Sequence, residues 1–181
     1  MRREIIEKIE IPSGIEVDVT SEKVIVKKGG KENSRRYEGF IVRKEGHELV
    51  IECKKATKKE KKQMKTLKAH IINIFKGIEK KFEYKLQVCA VHFPMSVTVD
   101  KAKHEVVVKN FLGGVKPRVA KIRGDVEVKV EKEILTITGE NKEDAGQTAA
   151  NIEKATRITN RDRRTFQDGI YIIEKPGEKI F

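Results

Sequence analysis

Apolar residues alternate with polar ones in both halves of the chain. In the first half Ile15, Val17 and Val19, then Val24 and Val26, turn one face inward. Val97 and Val99, then Val106 and Val108, do the same in the second half. Val126, Val128 and Val130 predict a further strand, as do Ile134, Leu135 and Ile137. Thr20-Ser21-Glu22-Lys23 and Asp100-Lys101-Ala102-Lys103 read as the connecting turns. The period then changes from two to between three and four. Met64, Leu67, Ile71, Phe75 and Ile78 form one apolar stripe, which predicts a helix, with Gly77 placed as its C-cap. A second helix is predicted from about Lys142 to Thr156, with Ala145, Ala149, Ile152 and Ala155 inward. Small side chains there let a helix lie close to its sheet.

The two halves repeat one another. Ile11-Pro12-Ser13-Gly14-Ile15-Glu16-Val17-Asp18 aligns without a gap on Phe93-Pro94-Met95-Ser96-Val97-Thr98-Val99-Asp100, at an offset of 82 residues. Val24-Ile25-Val26-Lys27 aligns on Val106-Val107-Val108-Lys109, and Leu49-Val50-Ile51 on Leu135-Thr136-Ile137. Each copy therefore predicts several short strands, one helix and a further strand. The expected fold is α+β: two tandem copies of a small, mostly antiparallel sheet covered on one face by a helix. The expected domains are 1–81 and 82–181. The boundary falls within Lys80 to His92. Phe82-Glu83-Tyr84-Lys85-Leu86-Gln87-Val88 either closes the first sheet or runs straight into the second unit.

Charge narrows the class of partner. The 181 residues hold 40 Lys+Arg against 28 Asp+Glu, a formal charge of +12. Such an excess repels itself and favours an anionic partner. No apolar run approaches the ~20 residues that span a bilayer. Met1-Arg2-Arg3-Glu4-Ile5-Ile6-Glu7 lacks the apolar core of a signal peptide. Only Cys53 and Cys89 are present, a usage that fits a reducing cytosol. Nucleic acid is thus expected over a membrane.

Three basic segments are candidates for contact. Lys54 to Lys68 holds eight lysines and one acid, Glu60; Lys58, Lys61, Lys62 and Lys65 form either a solvated helix face or one that meets phosphates. Lys109-Asn110-Phe111-Leu112-Gly113-Gly114-Val115-Lys116-Pro117-Arg118 reads as a flexible glycine loop that admits close backbone approach and offers cations to phosphate. Arg157, Arg161, Arg163 and Arg164 precede Asp168-Gly169, read as a tight turn into the strand Ile170-Tyr171-Ile172-Ile173. Phe166 and Ile170 are expected in the core, whereas Tyr171 suits either the core or a stacked base.

Catalytic patterns are lacking. Gly29-Gly30-Lys31 is followed by Glu32 where a phosphate-binding loop needs Ser or Thr. Cys89 and His92 are too few for structural zinc and are expected to be buried packing residues. His47, His70 and His104 lie in no triad-like pattern. No catalytic residue, metal or cofactor is therefore expected. A free-standing RNA chaperone and a nucleic-acid-processing enzyme are the alternatives of other classes.

Arg164-x-Phe166-x-Asp168-Gly169-Ile170-Tyr171-Ile172-x-x-Lys175 resembles the large-subunit ribosomal protein L-six family, in its archaeal and eukaryotic branch. Asn110-Phe111-Leu112-Gly113, Lys116-Pro117-Arg118, Phe82-Glu83-Tyr84-Lys85 and Ala90-Val91-His92-Phe93-Pro94 are similar to that branch too. The resemblance covers essentially the whole chain. It implies a non-enzymatic constituent of the large subunit in cytoplasmic ribosomes, bound as a monomer to large-subunit rRNA near the sarcin–ricin loop. Neighbouring ribosomal proteins are implied as partners, with translation factors nearby. The resemblance makes the second copy the main RNA binder. Lys109, Asn110, Gly113, Gly114, Lys116, Arg118, Arg157, Arg161, Arg163, Arg164, Tyr171 and Lys175 are then the expected contacts.

Overall fold

A computed structural model describes residues 3–162 and 164–180. The described residues up to Lys80 form one compact unit, and those from Lys81 onward form another. The first holds β1 (Arg3–Glu10), β2 (Glu16–Val19), β3 (Lys23–Lys28), β4 (Lys31–Arg36), β5 (Ile41–Glu45), β6 (Glu48–Ala56) and α1 (Lys58–Glu79). The second holds β7 (Phe82–Cys89), β8 (Ser96–Asp100), β9 (Glu105–Lys109), β10 (Arg118–Lys121), β11 (Val126–Glu131), β12 (Ile134–Gly139), α2 (Lys142–Ala155), β13 (Gly169–Lys175) and β14 (Glu178–Lys179). This is the expected α+β architecture.

The duplication is visible in strand order. The first unit has the sheets β1-β6-β5 and β2-β3-β4, all antiparallel. The second repeats them as β7-β12-β11 and β8-β9-β10. It then adds β13 and β14 on the free side of β7. Among the described residues, only the second unit has the expected strand of its own after its helix. Phe82–Cys89 sits inside the five-stranded sheet of that unit, so it does not close the first sheet. Its counterpart β1 carries no continuous apolar run, because Glu4, Lys8 and Glu10 share its outer face with an exposed Ile6 while Ile5 and Ile9 turn inward.

Each core forms as the alternation predicts. Val17, Val24, Val26, Leu49 and Ile51 meet Met64, Leu67, Ile71, Phe75 and Ile78 of α1. Val106, Val108, Leu135 and Ile137 meet Ala145, Ala149 and Ile152 of α2. α1 starts at Thr57, whose side chain accepts the Lys59 N–H (3.3 Å) while Glu60 accepts the Thr57 N–H (2.8 Å), a capping box. It runs through the buried Gly77 and is capped at Lys80 instead. The apolar stripe continues to Ile78, so packing carries the helix past a residue of low propensity. Gly29 and Gly30 form the two-residue turn of the β3–β4 hairpin, both at positive φ (58° and 83°).

Candidate nucleic-acid interface

Antiparallel pairing brings the loops of the second unit to one end. Cys89 at the end of β7 is paired with Gly169 at the start of β13. Ser96 at the start of β8 is paired with Lys109 at the end of β9, and Val108 with Arg118 at the start of β10. The segments 90–95, 110–117 and 156–168 therefore emerge together.

Side chains then fasten these segments. Asp168 is 1% exposed. Its Oδ1 accepts the N–H groups of Val91 and His92, each at 2.9 Å, and its Oδ2 accepts His92 Nδ1 at 2.6 Å. The carboxylate thus welds the 90–95 loop to the end of the arginine segment. Burial pushes its pKa upward, but the His92 N–H and ring, the Val91 N–H and the His92 charge outweigh burial and hold it below the ordinary value. Buried Thr156 Oγ1 accepts the Ile170 N–H at 3.0 Å, which ties the end of α2 to β13. Asn110 Nδ2 donates to the Pro94 carbonyl at 2.9 Å.

The glycine loop is a pinned turn, against the flexible loop expected. Phe111 is buried, Asn110 and Leu112 adopt left-handed φ values of 59° and 52°, and Gly114 N–H closes on the Phe111 carbonyl at 3.0 Å. Gly113 takes φ 73°, and a Cβ there would lie 3.4 Å from the Phe93 ring; Gly114 has an ordinary negative φ. Arg118 lies 5.0 Å from the Phe111 ring centre and donates to the Ala155 carbonyl at 3.3 Å. A cation there complements the negative end of the α2 dipole.

The arginine segment is equally ordered. Asp162 Oδ1 accepts the Arg164 N–H (2.9 Å), and its carbonyl accepts the N–H groups of Thr165 and Phe166. Phe166 is not a core residue. It is half-buried, stacked on His92 with ring centres 4.9 Å apart and lying beneath the Arg161 guanidinium at 4.7 Å. Ile170 is in the core, as expected. His92 lies in the loop after β7 with its side chain 34% exposed, so it is not the buried packing residue expected. Asp168 is part of no tight turn; it is the buried acceptor at the loop junction.

Most of the expected contacts come together. Lys109, Asn110, Gly113, Gly114, Lys116, Arg118, Arg157, Arg161 and Arg164 are all exposed at this end. Tyr171 is half-buried and its hydroxyl donates to the Asp168 carbonyl at 3.3 Å. Lys175 is separate, paired with Glu178 at the far end of β13, about 20 Å along the strand at ~3.3 Å per residue. Arg163 lies outside the described residues. In the first unit the α1 lysines divide: Lys68 donates to Glu7 at 2.7 Å with Lys61 and Lys65 adding positive charge around that carboxylate, whereas Lys62 borders a cleft on another side. Lys58 is exposed at the first turn.

Among the described residues, six of the expected cations lie exposed at one end of the second α+β unit, on its loops and strand ends, an arrangement suited to an extended anionic partner. Comparison with known proteins gives this arrangement a family. The ribosomal protein L6 family matches over residues 93–169, from the first loop of the second unit to the start of β13. The large ribosomal subunit protein uL6 of Methanococcus vannielii is 44% identical over 176 residues, covering 96% of each chain. That of Methanobrevibacter smithii is 45% identical over 171 residues, covering 93% of this chain and 95% of its own. That of Desulfurococcus amylolyticus is 42% identical over 177 residues, covering 96% of both. The chain belongs to the ribosomal protein L6 family, as the C-terminal motif led us to expect.

Proposed function

We propose that this protein seats on large-subunit rRNA through the loop end of its second unit, which is the main RNA-binding domain. As a ribosomal L6 protein it is a structural, non-enzymatic constituent of the large subunit of cytoplasmic ribosomes and serves translation. The observation that carries the finer reading is the gathering of Lys109, Lys116, Arg118, Arg157, Arg161 and Arg164 at one end. Lysine and arginine neutralise phosphates, and the hydrogen-bonded loops hold them in register against a folded RNA. Arg163 belongs to the same proposed set. Gly113 and Gly114 let backbone come close to the partner, and Tyr171 supports the strand behind them. One copy binds per subunit, beside other ribosomal proteins. The resemblance noted in the sequence implies a seat near the sarcin–ricin loop, with translation factors nearby, and we adopt that as part of the proposal.

Replacing Arg161 and Arg164 with Ala tests this. Affinity for protein-free large-subunit rRNA should fall and its salt slope should flatten by up to about one unit per lost phosphate contact. An unchanged affinity and slope would remove the loop end as the RNA surface. Crosslinking in cells identifies the nucleotides; crosslinks confined to RNA remote from the sarcin–ricin loop would exclude that location.

A further inference from the structure

The first unit carries a cleft of about 520 Å³ between α1 and the segment that joins β4 to β5. Arg35, Arg36, Lys59 and Lys62 line it against one acid, Glu38. Lys59, Lys62, Gln63, Thr66 and His70 stand three to four residues apart, so they share one face of α1. Arg35 meets His70 Nε2 at 3.1 Å across the cleft. The floor is apolar, formed by Leu67, Tyr37 and Phe40. The two rings stack with centres 5.6 Å apart and planes 17° from parallel. Tyr37 is buried, its hydroxyl donating to the Thr20 carbonyl at 2.6 Å, whereas Phe40 remains half-exposed.

We infer that this cleft takes an unpaired nucleotide of RNA, giving the protein a second RNA contact outside the loop end. This rests on the reading that the protein binds rRNA. The chemistry is that of single-strand recognition: cations for the backbone and an aromatic surface for a base. Arg36, Lys59 and Lys62 are exposed and meet the phosphates. Phe40 supplies apolar ring surface to the base, while Gln63 and Thr66 offer hydrogen bonds to its edge. The volume lies within the range of small-ligand sites, ~300–1,000 Å³. An acidic peptide would satisfy the cations but would leave the flat ring surface and the row of polar α1 side chains without a use.

The full-length protein tests this against protein-free large-subunit rRNA. Arg36→Glu with Lys62→Glu should lower affinity about tenfold or more and flatten the salt slope by about 1.4, at ~0.7 per single-strand phosphate contact. Phe40→Leu keeps an apolar side chain for the core and should weaken binding severalfold while leaving the slope unchanged. Thermal melts identify variants that are not folded; Lys59→Gln, at an exposed side chain, then replaces them as the informative change. Ultraviolet crosslinking should yield a nucleotide adduct on the peptide holding Phe40 or His70. Normal affinity and slope in the folded variants, with no adduct, would overturn the inference. So would normal RNA binding with loss of a neighbouring protein from the subunit. Arg161→Ala with Arg164→Ala, measured in parallel, reports the loop end separately, so either site can fail while the other stands.

Discussion

Asp168 and His92, 76 residues apart in sequence, are joined at 2.6 Å between carboxylate Oδ2 and imidazole Nδ1. The same carboxylate accepts two backbone N–H groups on its other oxygen. One buried acid therefore satisfies three donors of the 90–95 loop and fixes that loop beside the arginine segment. A buried charge is tolerated because it is this fully bonded.

Asp168→Ala should lower the stability of the second unit by about 2 kcal/mol, since two part-buried N–H groups and an imidazole lose their acceptor. Asp168→Asn keeps one acceptor oxygen and should cost less. The folded pKa of Asp168 lies below its unfolded value. Its stabilisation is thus complete above the unfolded value of ~3.9 and is lost as pH falls through the folded pKa. Urea denaturation across pH should show the gap between the native protein and Asp168→Asn closing on acidification. A gap of constant size would exclude the charge as its origin.

Arg161, Phe166 and His92 form a stack whose outer member is the cation. Holding a guanidinium over a ring is worth ~0.5–1 kcal/mol at an exposed site. Phe166→Ala should therefore weaken RNA binding a fewfold, as should Arg161→Ala. The double variant should bind no worse than the weaker single one, because both remove one device. Additive losses would show that the ring contacts RNA independently of Arg161.

The repeat, the two helices and most core residues were legible because each rests on local periodicity, as in Val24 and Val26 or Met64 through Ile78. β1 escaped notice because its inward positions are too few to outweigh the charges around them. β4 escaped because Lys31–Arg36 holds no apolar residue at all, and with it went the cleft it borders. The cations of the loop end were legible as runs along the chain. Their common location was not, since it follows from pairings such as Gly169 with Cys89. Lys175 shows the converse: it shares a motif with Arg164 but stands at the other end of the strand. Asp168 reads from the sequence as part of a tight turn, yet it and Asp162 both fold the segment that displays the arginines.

Glu7 and Lys68 tie β1 to α1 at 2.7 Å. The Glu7 carboxyl is held below its ordinary value by the Lys68 hydrogen bond, opposed by burial and aided by the charges of Lys68, Lys65 and Lys61. Glu7→Gln should cost up to about 1 kcal/mol at neutral pH, given that the pair is partly exposed and screened by salt. Because the folded pKa is lowered, this cost should disappear as pH falls through it. Thermal melts at low and high salt check both; a larger loss in high salt would contradict the electrostatic account.

Gly146 sits where α2 passes closest to Tyr84 of β7. A Cβ added there would lie 2.9 Å from the Tyr84 hydroxyl and 3.3 Å from the ring carbon that bears it. The ring is buried, and its hydroxyl reaches the Lys142 carbonyl at 3.5 Å, so it has little room to withdraw. Gly146→Ala raises helix propensity, which alone would stabilise by up to ~1 kcal/mol. Overpacking of a closed core costs ~1–3 kcal/mol and should prevail, so the substitution should lower the melting temperature. Tyr84→Phe removes the nearest atom and leaves a contact of 3.3 Å that a small shift relieves. The double variant should therefore recover much of the loss caused by Gly146→Ala. Stabilisation by Gly146→Ala alone would mean that α2 moves freely on its sheet, and the close seat provided by Ala145 and Ala149 would not constrain it.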